Sequence, residues 1–196
     1  MPKPSIEATA NGEQQFGPLP TVVPPLAAPH VQLRTENDIP MHVYLESPRQ
    51  AEVIELIAEL DAFQDALYPP EARYALDLVS LEQENVLFAV ARDSAGVAMG
   101  CGAVVLQSGT GEVKRMFVRP SCRAHGAAAA ILATLESEAL SRGCRLLQLE
   151  TGPYQHAALA FYKKHGFEVR CAFGSYPEHP LSVFRQKSLG GERCAV

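Results

Sequence analysis

Residues 111–140 read GEVKRMFVRPSCRAHGAAAAILATLESEAL, and this stretch decides the fold. Residues 112–118 alternate like a strand, and Pro120 ends the extended run. After a short basic turn an Ala-rich segment carries Ile131, Leu132, Leu135 and Ala139 on one stripe of helical period. The stretch is therefore a strand, a turn and a helix. Small side chains in the turn, Arg123-Ala124-His125-Gly126-Ala127-Ala128, let a ligand approach the amides that begin the helix. Those amides have no partner within the helix and carry the positive end of its dipole, so a phosphate or pyrophosphate is the natural guest.

Upstream, residues 86–92, 97–106 and 112–118 form a three-strand meander broken at residues 93–96 and at Ser108-Gly109-Thr110-Gly111. Downstream, RLLQLET at 145–151 is nearly continuous in apolar residues, as suits a buried central strand. Entered from a helix, it most simply lies parallel to 112–118. A short helix then runs within 152–167, opened after Pro153 and closed by Gly166. Strands at 168–173 and 181–187 flank the loop GSYPEHP.

Nearer the start, 42–46 suits a short strand. Residues 49–67 follow a helical period, with Val53, Leu56, Ile57, Leu60, Phe63 and Leu67 on one face. Tyr68-Pro69-Pro70 ends that helix, and a second is predicted over 71–81. Residues 46–84 hold ten carboxylates against Arg49 and Arg73, which reads either as a solvated helix face or as an acidic rim that attracts a cationic amine.

Two motifs carry a family resemblance. The strand followed by Arg123, Gly126 and Ala128 resembles motif A of the GNAT acyltransferase superfamily, Q/R-x-x-G-x-G/A, which in that family holds the pyrophosphate of acetyl-CoA. Ala158, Tyr162, Gly166 and Phe167 match its motif B, with Gln155 where Asn is commoner. The loop at 174–180, the PLSVF that closes on the last strand and ELDAFQDALYPPE are similar to small bacterial YsnE-type acetyltransferases, and the likeness spans about residues 42–189. It implies a mixed α/β acyl-CoA N-acyltransferase fold: a twisted, mostly antiparallel sheet with a parallel pair at the CoA site, flanked by about four helices.

Composition narrows the class. The 196 residues are 47% hydrophobic, enough for one full core, and the net charge of −5 comes without a basic cluster, so nucleic acid is not an expected partner. The five cysteines (Cys101, Cys122, Cys144, Cys171, Cys194) include no CxxC pair, which points to reduced thiols and to no metal site. No apolar run is long enough for a bilayer span and no signal-peptide layout opens the chain, so a cytoplasmic protein without a membrane partner is expected. Residues 1–30 hold seven prolines and no sustained apolar period and are expected to form a mostly disordered arm. The acyltransferase domain then occupies 31–190, and 191–196 form a flexible tail.

The resemblance implies roles residue by residue. Backbone amides of Arg123, Ala124, His125, Gly126, Ala127 and Ala128 would bind the pyrophosphate of acetyl-CoA, used as cosubstrate. Met116, Phe117 and Val118 would line the pantetheine arm through their backbone, with an amide near Met116 facing the thioester oxygen. Gln155, Ala158 and Tyr162 complete the cofactor set. Glu112, fourteen residues before Gly126, stands where the histone-acetylating branch has its general base, and Glu150 is the second candidate. By the strand period Glu112 shares a face with Lys114 and Met116 unless a bulge intervenes, and Lys114 and Arg115 could simply neutralise the two acids. Tyr162 is the candidate general acid toward the departing thiolate, or a hydrogen-bond donor to it. Tyr176 and His179 are candidates beside the substrate. The expected reaction is transfer of acetyl to a primary amine of a small molecule by direct attack in a ternary complex. A homodimer is common in the family. Ala124 and His125, where many relatives have Gly and a basic residue, motivate the alternative of an acyl-CoA-binding or partner-binding domain that has lost catalysis.

Overall fold

The computed structural model describes residues 40–70 and 74–190. The expected arm over 1–30 and the tail over 191–196 lie outside them. In chain order the elements are β1 Met41–Leu45, α1 Ala51–Asp65, α2 Leu78–Leu81, β2 Val86–Asp93, β3 Ala98–Gln107, β4 Thr110–Val118, α3 Ala127–Ser141, β5 Leu146–Thr151, α4 His156–Lys164, β6 Glu168–Arg170 and β7 Val183–Ser188. The seven strands form one sheet in the order β1-β2-β3-β4-β5-β7-β6, antiparallel throughout except for the parallel pair β4/β5. This is the expected mixed α/β architecture.

Alternation along the strands sends side chains to two layers. Leu87, Val104, Val113, Leu147 and Leu149 pack under α3, whose Ile131, Leu132, Leu135 and Ala139 are buried as its stripe requires. On the other face Phe88, Val90, Ala103 and Phe117 meet Val53, Leu56 and Leu60 of α1. Removing such side chains from water is worth about 1.5–3 kcal/mol each, so these two layers hold the sheet between its helices.

Polar clamps add orientation to α1. Arg92 binds Glu46 and Glu52, Arg119 binds Glu59 at 2.8 Å, and Arg115 binds Asp61. The carboxylates of α1 that read as a solvated face or an acidic rim are thus largely ion-paired to arginines of the sheet and its exit.

The predicted helix over 71–81 is shorter than expected. Residues 74–77 are extended, and α2 begins only after Asp77, whose side chain accepts from the Ser80 N–H at 2.8 Å. Two carbonyls of that extended piece accept from the sheet instead: Tyr74 O from Lys114 Nζ and Leu76 O from Arg115 Nε. Side-chain cations take acceptors that a helix would have used.

Candidate active site

β4 and β5 pair only from Thr110↔Leu146 to Glu112↔Gln148 and then part, so the edge of β4 beyond Glu112 has no strand beside it on that side. Further along the same strand lies a bulge. Between Cys101↔Phe117 and Ala103↔Lys114, Arg115 and Met116 of β4 stand opposite the single residue Gly102. Arg115 takes φ +56, and its guanidinium reaches the α1 side to meet Asp61 and the Leu76 carbonyl. Met116 turns to the α3 side. A Cβ on Gly102 would lie 2.4 Å from Met116 Sδ and 2.8 Å from Ile131 Cγ2, so the glycine makes room for the bulged residue. The expectation that Glu112, Lys114 and Met116 share a face is corrected accordingly. The first two do, and the bulge moves Met116 to the face of Val113.

The gap opens into a cleft of about 750 Å³, including its solvent-open part. Its lining brings together Met116, Glu150, Gln155, Ala158 and Tyr162, from β4, β5 and α4 with the residue that precedes it. Its roof is the end of α1 and the extended piece before α2. Tyr68 seals one end: its hydroxyl accepts from the Tyr154 N–H at 3.0 Å and its ring stacks on Tyr154. A Cβ at Gly152 would come within 2.0 Å of the Tyr68 hydroxyl, so only glycine fits there. The sequence reading missed Tyr68 and Gly152. A tyrosine at a helix end before Pro-Pro and a glycine directly after a buried strand were the available signals.

Glu112 is not on the cleft wall. Its carboxylate pairs with Lys114 Nζ at 2.9 Å and accepts from the Tyr176 hydroxyl at 2.6 Å, while Tyr176 accepts from Lys114. Tyr74, Phe173 and Phe184 pack edge-on or tilted around the Tyr176 ring. Tyr176 therefore ties the β6–β7 loop to β4. His179 is a turn residue whose Nδ1 accepts from the Leu181 N–H at 3.1 Å. Lys114 neutralises Glu112, as one expectation had it, whereas Arg115 serves Asp61.

Glu150 faces the cleft, and among the described residues no ion pair reaches it. Burial pushes its carboxyl above the usual range; the Ser182 side chain and the Lys114 charge oppose this, and the Glu112 charge adds to it. Burial also pushes the Tyr162 phenol up. Cys101, wholly buried on β3, is pushed up to about 12, mainly by burial, which removes it as a thiolate nucleophile.

The turn before α3 lies at the end of β4, apart from the cleft wall. Gly126 caps α3 at φ +84, no side chain caps the helix and its first turn has no acidic residue, so its leading amides are open to an anion. Ala124 adopts φ +66, a left-handed conformation that a Cβ disfavours. Arg123 turns back: its Nε donates to the Val118 carbonyl at 3.1 Å, and the guanidinium lies over Phe63. His125 is half-buried. Among the described residues there is no group of three His, Cys, Asp or Glu arranged for a metal, and no helix is long and apolar enough to cross a membrane.

A bulged strand parted from a parallel neighbour, with a helix N-terminus at the end of each, defines an acyl-CoA-type acyltransferase scaffold, and the chain belongs to the acetyltransferase (GNAT) family, whose match covers residues 52–167. It is 45% identical over 146 residues to the "IAA acetyltransferase" of Azospirillum brasilense, covering 74% of this chain and 95% of that protein. It is 33% identical to the "Uncharacterized N-acetyltransferase YsnE" of Bacillus subtilis (strain 168), covering 76% of this chain and all of that one. A crystal structure from Klebsiella pneumoniae subsp. pneumoniae, of a protein proposed to be an acyl-CoA N-acyltransferase, superposes with TM-score 0.68 at 42% identity over 76% of this chain and 97% of that one.

Proposed function

We propose that the chain transfers an acetyl group from acetyl-CoA to the primary amine of a small molecule, by direct attack in a ternary complex. The observation that carries this reading is the cleft at the parted end of β4 and β5, where Met116, Glu150, Gln155, Ala158 and Tyr162 meet. The name of the Azospirillum brasilense relative supports a small-molecule acceptor.

The residues of this chain suit acetyl-CoA. The uncapped amides from Gly126 onward, with the helix dipole, would hold the pyrophosphate, and the dipole alone contributes about 0.3–2 kcal/mol. The unpaired edge of β4 over 113–118 offers strand-like hydrogen bonds to the pantetheine amides, and the amide near Met116 would meet the thioester oxygen. The cofactor supplies the activated acetyl group.

An amine of pKa near 10.4 is neutral about once in two or three thousand at pH 7, a deficit of about 4–5 kcal/mol, so a base is needed. Glu150 fills that role better than Glu112. It lies on the cleft wall and its raised pKa makes it the stronger base, while Glu112 is held by Lys114 and Tyr176. Glu150, directly or through a water, takes the ammonium proton. The freed nitrogen lone pair then attacks the carbonyl carbon, the N–C bond forms, the C–S bond breaks with its electrons on sulfur, and the second proton of the acylated nitrogen passes to solvent water to leave the neutral amide. Tyr162 hydrogen-bonds that sulfur; with its phenol pushed up by burial, it stabilises the thiolate until the sulfur is protonated from solvent.

The test is a thermal melt with and without excess acetyl-CoA, followed by thiol release with an amine panel. At a hundred times Kd the ligand should add about 2.7 kcal/mol, which is on the order of 5–10 °C here. Absence of a shift at millimolar acetyl-CoA would overturn the cofactor assignment. A shift without turnover of any amine would favour a binding domain that has lost catalysis.

A further inference from the structure

Resting on the amine reading above, we infer that the acceptor is a monocation with an aromatic or aliphatic body and no carboxylate, rather than a polyamine, an aminoglycoside or an amino acid. The charges around the cleft carry this. Among the described lining residues three are charged: Lys114, Arg115 and Glu150. The Lys114 ammonium has three N–H donors and meets three acceptors, Glu112 Oε1, the Tyr74 carbonyl and the Tyr176 hydroxyl. Arg115 binds Asp61 and the Leu76 carbonyl. With the Lys114 donors all engaged and the Arg115 side chain 5% exposed and turned to Asp61, neither cation is presented to a carboxylate of an acceptor. Glu150 alone has no ion-pair partner among the described residues, which provides for one positive charge.

A polycation would need further anions nearby. The carboxylates of α1 that sequence alone makes an acidic rim are instead engaged, Glu52 with Arg92, Glu59 with Arg119 and Asp61 with Arg115. The other described lining residues carry no charge: Leu60, Tyr68, Tyr74, Leu76 and Leu181 supply apolar or aromatic surface, and Gln64, Thr151 and Gln155 are neutral and polar. Aromatic and aliphatic surfaces of this kind reward an apolar body and give a second charge no compensation. An acceptor with an α-carboxylate would bury it beside Glu150, where like charges repel.

The experiment uses the full chain, acetyl-CoA and thiol release, with matched acceptors: tryptamine against tryptophan, phenethylamine against phenylalanine, and both amines against spermidine and kanamycin. The expected result is a kcat/KM for each monoamine about tenfold or more above its amino acid and above the polycations. Equal or better turnover of tryptophan, phenylalanine, spermidine or kanamycin would overturn the inference while leaving amine acetylation standing. Turnover of no amine by protein that acetyl-CoA stabilises would overturn the amine reading and this inference with it. Glu150→Gln should raise KM for tryptamine while KM for acetyl-CoA stays within about twofold. An equal rise in both would refute Glu150 as the cation's partner.

Discussion

Ala124→Gly tests the anion-binding turn through its backbone. Ala124 sits at φ +66 and is exposed, so its left-handed conformation has no buried side-chain contact to offset it. An L-residue there costs about 1–2 kcal/mol relative to glycine. Glycine returns about 0.4–1 kcal/mol of that through its larger unfolded-state entropy. The net expectation is a gain of about 0.5–1 kcal/mol, or about 1–4 °C in a domain of this length. The mirror experiment is Gly126→Ala, two residues on. Nothing lies within 4 Å of the added Cβ, so the cost should come from φ +84, about 1–2 kcal/mol, less the roughly 0.4–1 kcal/mol that alanine gains in the unfolded state, a net destabilisation of about 0.5–1 kcal/mol. Thermal melts of both variants, without and with acetyl-CoA, separate stability from affinity. A less stable Ala124→Gly protein beside an unaffected Gly126→Ala protein would refute the left-handed turn and the pyrophosphate geometry built on it.

Three further outcomes are expected. Glu150→Gln should lower kcat by about 10²-fold while making the protein more stable near neutral pH. The sign follows from burial: the folded pKa lies above the unfolded one, so the group's contribution is complete below the unfolded pKa and lost as pH rises through the folded value. The variant's advantage in Tm should therefore vanish in acid, and an advantage constant with pH would refute it. Tyr162→Phe should cut thiol release by about 10-fold or more with acetyl-CoA binding kept, and parental turnover would remove Tyr162 from the sulfur's surroundings. At Glu46 burial pushes the carboxyl up, but its bonds to Arg92 and Gln50 outweigh this and hold it below its ordinary range. That stability is present above the unfolded pKa and is lost as pH falls through the folded one, so Glu46→Gln should lose about 1–2 kcal/mol at neutral pH and almost none in strong acid, read by urea titration at each pH.

The legible parts of this chain were those whose signal is local. Alternation in β2, β3 and β5, the apolar stripe of α3 and the turn glycines each depend on residues a few places apart, and the strand–turn–helix at 111–140 followed from them. Helix α2 was overestimated because its would-be first turn gives carbonyls to Lys114 and Arg115, residues 40 and 39 positions away. Nothing near Tyr74 or Leu76 in sequence announces those partners. The acidity of α1 was visible while its pairing was not, since Arg92, Arg115 and Arg119 come from another part of the sheet.

The bulge at Arg115 shows why site residues are harder to read than strands. With strict alternation Glu112, Lys114 and Met116 would form one row, and the carboxylate would stand beside the residue expected to face the thioester. One extra residue changes the parity. Met116 goes to the α3 side, where Gly102 has no side chain to obstruct it, and Arg115 becomes available to clamp α1 and the piece before α2 as the roof of the cleft. Glu112 stays behind with Lys114 and Tyr176, and the carboxylate on the cleft wall is Glu150, on a strand without a bulge. The bulge thus separates Met116 from the row of Glu112 and Lys114, while Glu150 is the carboxylate that lines the cleft.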